Sequence, residues 1–354
     1  MRSNHMKKNR EKKLPLYFPP PITSYLPYSV ISAIVCANGN NLDWIYNNFI
    51  QLYHNGFGKV DYYPNSDFAY QDKLYLSATE LCQHNYRMRH ETIIEDMKYW
   101  IDNGNYIVFY LAESKIPNTR FFNRSDVIHS QFIFGYEEKD HIFYLMNFGI
   151  SEKLEIIKLK FEDLLVALEY TINLNGKRKN LQSTTMRDQG KDFRLILLKY
   201  NDSQNRSYDS GINLQYIKQQ LVDLVECNNS SVHHSYFTSW QHGIWGLDTY
   251  EEIKKEYKKN TNGKEVDIRF VFMLYEHKIL MLKRMEYLKE RYSIESCSEK
   301  MSLVVKKVEM LKNTVLKYNI TKKESLLCKF EHDLDKIREL EKEIYTEYIS
   351  NIKT

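Results

Sequence analysis

No run in this sequence approaches the roughly 18 to 20 consecutive apolar residues that a bilayer-crossing helix needs, so no membrane span is expected. Glycine is scarce, 12 in 354 residues, and dispersed, which leaves no Gly-rich loop to cradle a phosphate. The five cysteines (Cys36, Cys82, Cys227, Cys297 and Cys328) have no paired spacing. That argues against a disulfide frame and a cysteine-based zinc site, and for a reducing, cytoplasmic setting. Charge of one sign is not in excess either. The 50 Lys and Arg against 46 Asp and Glu leave a formal +4, too even to imply nucleic acid or a membrane as partner. The basic opening residues run directly into LPLYFPPP with no apolar h-region, so no signal peptide is expected. His233, His234 and His242 share a polar stretch with Trp240, but no HExxH or carboxylate spacing accompanies them, and neither a metal nor a cofactor is implied.

What is present is the composition of a globular protein, 43% hydrophobic and 27% charged, long enough for one large domain or two. The abundance of Tyr, Asn, Lys and Ile matches the bias of an AT-rich bacterial genome. Residues 1–13, with the basic run Lys7–Lys13, read as a disordered tail or tag remnant. Residues 14–23 (LPLYFPPPIT) carry too many prolines to be helical. Pro27 then stands at a first helical position, ahead of an apolar helix from Tyr28 to Ala37. Apolar spacing predicts helices over Leu42–Leu52 and Glu91–Ile101, and a central strand over Tyr106–Leu111. A third alternating strand, Leu154–Lys160, leads into a helix over Glu162–Tyr170. The polar stretch 173–192 marks a boundary or long loop, and Phe193–Lys199 reads as a strand. Helices are expected over Ile212–Val225, Tyr250–Tyr257, Val266–Arg291, Met301–Tyr318 and Lys323–Ile349. Leu303, Val304, Val308, Leu311 and Val315 supply a heptad-like stripe. The expectation is thus an α+β core over 14–175, a loop and strand over 176–210 completing it, and a mainly helical region over 211–354 ending in a long helical hairpin. Asp267 and Arg269 are expected to form a buried ion pair, and Glu276 and His277 to make ordinary helix contacts.

The stretch Asp126–Gly149 organises the core. Alternating residues His129, Phe132 and Phe134, a polar turn over Glu137–Asp140, and alternating residues Ile142, Tyr144 and Met146 ending on Asn147 describe a β-hairpin. Folding it brings His129 and Asn147 onto neighbouring strands near one end. An imidazole oriented by a neighbouring amide is the base half of a nucleophile–base–orienter triad. The plainer reading is a strand-edge histidine and a turn-forming asparagine.

His129, Gly135 six positions later and Asn147 after the hairpin, preceded by the Gly104–Leu111 strand, resemble the second half of papain-like folds. The likeness is to the bacteriocin-type cysteine leader peptidases and the N-terminal domain of butirosin biosynthesis protein H. Trp240–Gly246 and the Val266–Arg284 stretch also look like the helical region of such proteins from nonribosomal peptide and related thiotemplated clusters, so the resemblance spans most of residues 20–290. It implies a papain-like α+β fold with a cysteine at the N-terminus of the first helix, where the helix end lowers a thiol pKa and offers N–H groups to an oxyanion. This sequence has Leu26 or Tyr28 at that position. Cys36 lies ten positions beyond Leu26, roughly 15 Å along a helix at about 1.5 Å per residue, and reads as a buried structural cysteine. Ser24 and Ser29 flank the position. Ser29 is either a nucleophile activated by His129 or a helix residue satisfying its own backbone.

By resemblance, the protein is an acyltransferase of secondary-metabolite biosynthesis. It takes an acyl thioester from an acyl or peptidyl carrier protein and passes it to a small-molecule amine. His129 is the base, Asn147 fixes its tautomer, Ser29 is the candidate nucleophile, and Tyr25, Leu26 and Tyr28 line the substrate site. The alternatives are an inactive binding module of the same fold and a cysteine-peptidase-like hydrolase. The C-terminal helices make a homodimer a further expectation.

Overall fold

A computed structural model describes residues 10–38, 42–54, 60–63, 75–82, 85–178, 193–201, 211–233, 243–259 and 263–353. In chain order they form β1 (Glu11–Lys13), α1 (Leu26–Ala37), α2 (Leu42–Asn47), β2 (Leu52–His54), β3 (Val60–Tyr62), β4 (Leu76–Leu81), α3 (Ile93–Asp102), β5 (Asn105–Ala112), β6 (Ile128–Glu137), β7 (Ile142–Phe148), β8 (Leu154–Lys160), α4 (Phe161–Arg178), β9 (Leu195–Tyr200), α5 (Leu214–Glu226), β10 (Ile244–Trp245), α6 (Thr249–Lys258), α7 (Arg269–Tyr292), α8 (Ser298–Thr321) and α9 (Ser325–Asn351). The fold is mixed α and β, with antiparallel sheets and C-terminal helices. The chain divides into two compact units, Met1–Asn40 with Ala69–Ser207 and Asn41–Phe68 with Tyr208–Thr354.

The first unit is built on a seven-stranded sheet ordered β4-β9-β5-β6-β7-β8, with β1 added to β6. Its middle strand, β5, pairs on both sides and is the continuous apolar run expected of a strand buried on both faces. The expected hairpin is β6–β7, and a bulge between Ile133 and Gly135 shifts its register. Gly135 has a separate reason to be glycine: a Cβ there would stand 2.5 Å from the Lys12 carbonyl of β1.

Residues directly opposite in antiparallel strands share a face. Even-numbered Tyr106, Phe132, Phe134 and Tyr144 form an aromatic layer, with successive ring centroids 5.8, 6.3 and 6.2 Å apart. The C-terminal end of α1 meets this layer, where the Asn38 amide donates to the Tyr106 hydroxyl at 3.2 Å. Pro27 opens α1, and ten of its 12 residues are buried. The opposite face carries Leu111 across from His129 and Phe109 across from Gln131. Toward this face lies α4, with Phe161 4.6 Å from the Phe143 ring and Thr171 Oγ1 accepting from the Ala112 N–H at 2.8 Å. The helix expected to stop near Tyr170 runs on to Arg178, while positions 179–192 of the expected loop lie outside the described residues.

The second unit holds a small sheet, β10-β2-β3, and helices α2 and α5 to α9. The segment Leu42–Leu52 was expected to be one helix within the first core. It breaks instead at Phe49, which adopts a left-handed φ of 59°, and continues into β2, paired with β3 and β10. Consecutive helices α7, α8 and α9 pack against one another through turns at Ser293 and Lys322, both left-handed. On α8 the buried stripe is Met301, Val304, Val308, Leu311, Val315 and Tyr318. Leu303, assigned to that stripe from sequence, is exposed. Asp267 and Arg269 do pair, but at the surface, where the carboxylate also accepts from the Arg269 backbone N–H at 2.9 Å. The buried charges are elsewhere. Lys278 Nζ meets Glu341 Oε1 at 2.6 Å with both side chains fully covered. Arg284 donates to the carbonyls of Tyr46 and Asn48 at the end of α2, where a helix leaves acceptors unpaired and favours a cation.

Candidate functional site

At Ala112 the apolar run of β5 gives way to a single 3-10 turn, Glu113–Lys115. The Glu113 N–H donates to the Val127 carbonyl at 2.9 Å, which closes the chain onto the start of β6. His129 sits directly opposite Leu111, two residues before Glu113. The side chains meet there, His129 Nδ1 lying 2.7 Å from Glu113 Oε2, with 1% of the glutamate side chain exposed and 45% of the imidazole. An ionised carboxylate can only accept, so the Nδ1 facing it carries a proton, and in the neutral imidazole the lone pair is then on Nε2. A carboxylate this covered needs compensation. It receives it from the imidazole and from the Phe121 N–H, which donates to Oε1 at 3.4 Å. The Phe121 ring then packs edge-on against the imidazole at 5.7 Å. A half-exposed imidazole oriented by a buried carboxylate is the arrangement of a general base.

The loop between β5 and β6 is tied to the end of β7. Thr119 bridges to Gly149, and the Arg120 N–H donates to the Phe148 carbonyl at 3.0 Å. Thr119 Oγ1 bonds back to the Ile116 and Glu113 carbonyls. Asn118 and Asn123 turn the loop with φ of 65° and 56°, a left-handed conformation that asparagine tolerates better than most residues. Ser114 Oγ and Tyr170 Oη both donate to Asp126, at 2.8 and 2.9 Å.

The residues singled out from sequence are placed unevenly. His129 and Asn147 are on paired strands, but Phe132 faces Met146, so Asn147 falls beside Gln131 rather than the imidazole. Its amide donates to Gln131 Oε1 at 2.5 Å and its own oxygen accepts from the Phe148 N–H at 2.7 Å. The group that orients His129 is therefore Glu113, not Asn147. Ser29 is fully buried, and its Oγ donates to the Tyr25 carbonyl one turn back, at 3.1 Å. Among the described residues Glu113 is the hydrogen-bond partner of the His129 ring, so no serine hydroxyl is joined to the imidazole. Leu26 and Tyr28 are buried, and half-buried Tyr25 packs edge-on against Tyr28 at 6.2 Å. Cys36 is buried in α1, and burial pushes its thiol up to about 11. Glu113, Phe121 and Arg120 were not found from sequence. Their one local signal was an acid abutting an apolar strand.

Two other clusters lie in the second unit. His233 Nε2 is 3.5 Å from the buried carboxylate of Asp223, which also accepts from Ser230 Oγ at 2.7 Å and Gln219 Nε2 at 3.0 Å. His234, Trp240 and His242 lie outside the described residues. A cavity of about 290 Å³ is lined by residues including Cys227, Asp248, Arg338 and Lys342. Its arginine is already paired with Asp248 at 2.6 Å and Glu251 at 3.4 Å. Among the described residues no group of three or more His, Cys, Asp or Glu side chains is placed to hold a metal ion, and no helix is long and apolar enough to cross a membrane. The chain matches no protein-family model and no curated protein.

Proposed function

We propose that the protein is a papain-like-fold acyltransferase of secondary-metabolite biosynthesis, in which His129 is the general base and Glu113 its orienting carboxylate. The observation that carries this reading is the 2.7 Å contact between a half-exposed imidazole and a buried carboxylate, on a strand that opens a hairpin in an antiparallel sheet. The acyl donor is a thioester on a carrier protein and the acceptor is a small-molecule amine. As the acceptor nitrogen attacks the thioester carbonyl, His129 Nε2 takes the proton that this nitrogen loses. The tetrahedral intermediate collapses with cleavage of the carbon–sulfur bond, the product is an amide, and the carrier leaves with its thiol protonated. No acyl-enzyme is required. Ser29 spends its hydroxyl on its own helix, so direct aminolysis fits better than a covalent intermediate. General-base assistance of this kind contributes about 10²- to 10⁴-fold. Five free cysteines fit a cytoplasmic setting.

The second reading is a binding module of the same fold without chemistry. It is favoured by Leu26 and Tyr28 occupying the positions where the resemblance implies a cysteine. A cysteine-peptidase-like hydrolase is the weakest, because it would need the buried Cys36 as a thiolate.

Incubation with acylated carrier proteins and a panel of amines, followed by intact-mass analysis of protein and small-molecule products, tests these readings. Amide formation lost in His129→Gln, without an adduct on the protein, is the expected result. An adduct abolished by Ser29→Ala would replace direct aminolysis with nucleophilic catalysis. Carrier binding with no product from any amine would leave the binding module.

A further inference from the structure

Arg120 differs from two other arginines of the first unit, exposed Arg10 and partly covered Arg194. Arg10 pairs with Asp102 at 2.7 Å and Arg194 with Glu80 at 3.3 Å, but the Arg120 guanidinium has no carboxylate partner and no hydrogen bond among the described residues, and its Nε is buried without an acceptor. It is held by aromatic rings instead, its Cζ 4.4 Å from the centroid of Phe121 and 5.3 Å from that of Phe148. The backbone of Arg120 is fixed to Phe148 and that of Phe121 to Glu113, so both rings and the guanidinium between them are anchored. No ion pair joins it to the nearby Glu113 among the described residues, the Oε2 of that acid meeting His129 and its Oε1 accepting from the Phe121 N–H.

We propose that Arg120 is an oxyanion-recognising residue beside His129, and that the substrate bound there carries a carboxylate or phosphate group. A guanidinium is suited to this because its N–H groups form a planar fork that matches both oxyanions, and flanking rings hold the fork in place without using its donors. The Phe121 ring that stacks on Arg120 is the same ring that packs against the His129 imidazole. An anion on the guanidinium and a proton leaving toward Nε2 thus lie beside a single phenyl ring. For the acyl transfer proposed above this names the acceptor's class: an amine that also bears an oxyanion, as an amino acid does. Only that last step rests on the acyl-transfer reading, and the anion site is testable without turnover.

The test follows the His129 ring and Phe121 backbone resonances while inorganic phosphate or malonate is titrated, with chloride at matched ionic strength as control. A saturable shift with at least one of the two oxyanions is expected in the wild type. Response to phosphate alone or malonate alone assigns the group that the substrate carries. Arg120→Met should weaken the apparent affinity about tenfold or more, as loss of charge-assisted hydrogen bonds does. Arg120→Lys, which keeps the charge but not the fork, gives a second variant if the first does not fold, and should also bind more weakly. His129→Gln, followed at Phe121, should still bind the anion. The proposal is overturned if neither oxyanion does more than chloride, or if the Arg120 variants respond as the wild type does. Turnover retained in His129→Gln would instead sink the general-base reading and leave the anion site standing.

Discussion

Lys278 of α7 and Glu341 of α9 face each other at 2.6 Å with neither side chain exposed. The carboxylate also accepts from the hydroxyls of Tyr250 and Tyr345, and the ammonium also donates to His277 Nδ1 at 2.8 Å. Burial lowers the Lys278 pKa and the charge of Glu341 opposes that shift. Such a pair adds little net stability over an apolar one but is expensive to break. Glu341→Gln should therefore destabilise the protein by about 3 to 5 kcal/mol, because it leaves a buried ammonium without its counter-charge. Lys278→Met combined with Glu341→Leu should recover part of the loss, though not all, since two tyrosine hydroxyls lose their acceptor. Urea midpoints of the three proteins check this. A Glu341→Gln variant as stable as the wild type would mean that the lysine sheds its proton or finds another partner.

His277 gives a pH dependence of defined sign. Burial and the adjacent Lys278 charge hold its pKa well below the ordinary imidazole value, while a hydrogen bond to the Ile50 carbonyl pulls the other way. Both ring nitrogens are in use, Nε2 donating to that carbonyl at 2.8 Å and Nδ1 accepting from Lys278, so the folded protein holds the neutral form. The unfolded chain binds a proton below about pH 6.5 and the folded one does not. The stabilising contribution is therefore complete above that pH and declines as pH falls, by up to about 1.4 kcal/mol per unit. His277→Gln keeps one donor and one acceptor without the titration. Denaturant midpoints between pH 7.5 and 5 should fall less steeply in the variant than in the wild type, and equal slopes would refute the assignment.

How much of this was legible in the sequence follows from the range of each interaction. The β6–β7 hairpin and the helices α7 to α9 could be read because period-two and helical spacing are local signals. The break at Phe49 could not, because nothing in an apolar run announces a left-handed residue. Leu303 was a misreading of the helical signal, because counting back from Val308 to Val304 and on by three reaches Met301, which is buried. The orienting group of His129 was missed for a different reason. Glu113 reaches the imidazole only because β5 pairs with β6 in a register that sets Leu111 opposite His129, and local periodicity carries no information on which strands pair. The bulge after Ile133 likewise moved Asn147 to Gln131, a one-residue effect with no sequence mark beyond Gly135.

Thiol labelling reports whether any cysteine is poised for chemistry. Cys328 is exposed, whereas Cys36 and Cys297 are buried and each thiol is pushed up to about 11, Cys36 by burial and Cys297 by burial together with the Glu347 charge. Since the thiolate is the reactive species, iodoacetamide at pH 7.5 should modify Cys328 first and leave Cys36 unmodified until denaturant is added. Peptide mapping by mass spectrometry reads the order. Rapid labelling of Cys36 in the native protein would restore the hydrolase reading.

Glu113 touches the His129 ring and Asn147 does not, and a pair of substitutions tests that difference. Glu113→Gln keeps an oxygen able to accept from the Phe121 N–H but removes the charge that selects the Nδ1–H tautomer and stabilises the imidazolium. Asn147→Ala leaves the imidazole untouched and deprives buried Gln131 Oε1 of its donor, a loss of about 1 to 3 kcal/mol in stability. Nitrogen-15 shifts of the His129 ring should show Nδ1 protonated in the wild type and in Asn147→Ala, with a mixture of tautomers in Glu113→Gln. Amide formation should fall about 10²-fold or more in Glu113→Gln and stay within a few-fold of wild type in Asn147→Ala. If Asn147→Ala changes the tautomer and Glu113→Gln does not, the imidazole is oriented from β7 and the contact with Glu113 is structural only.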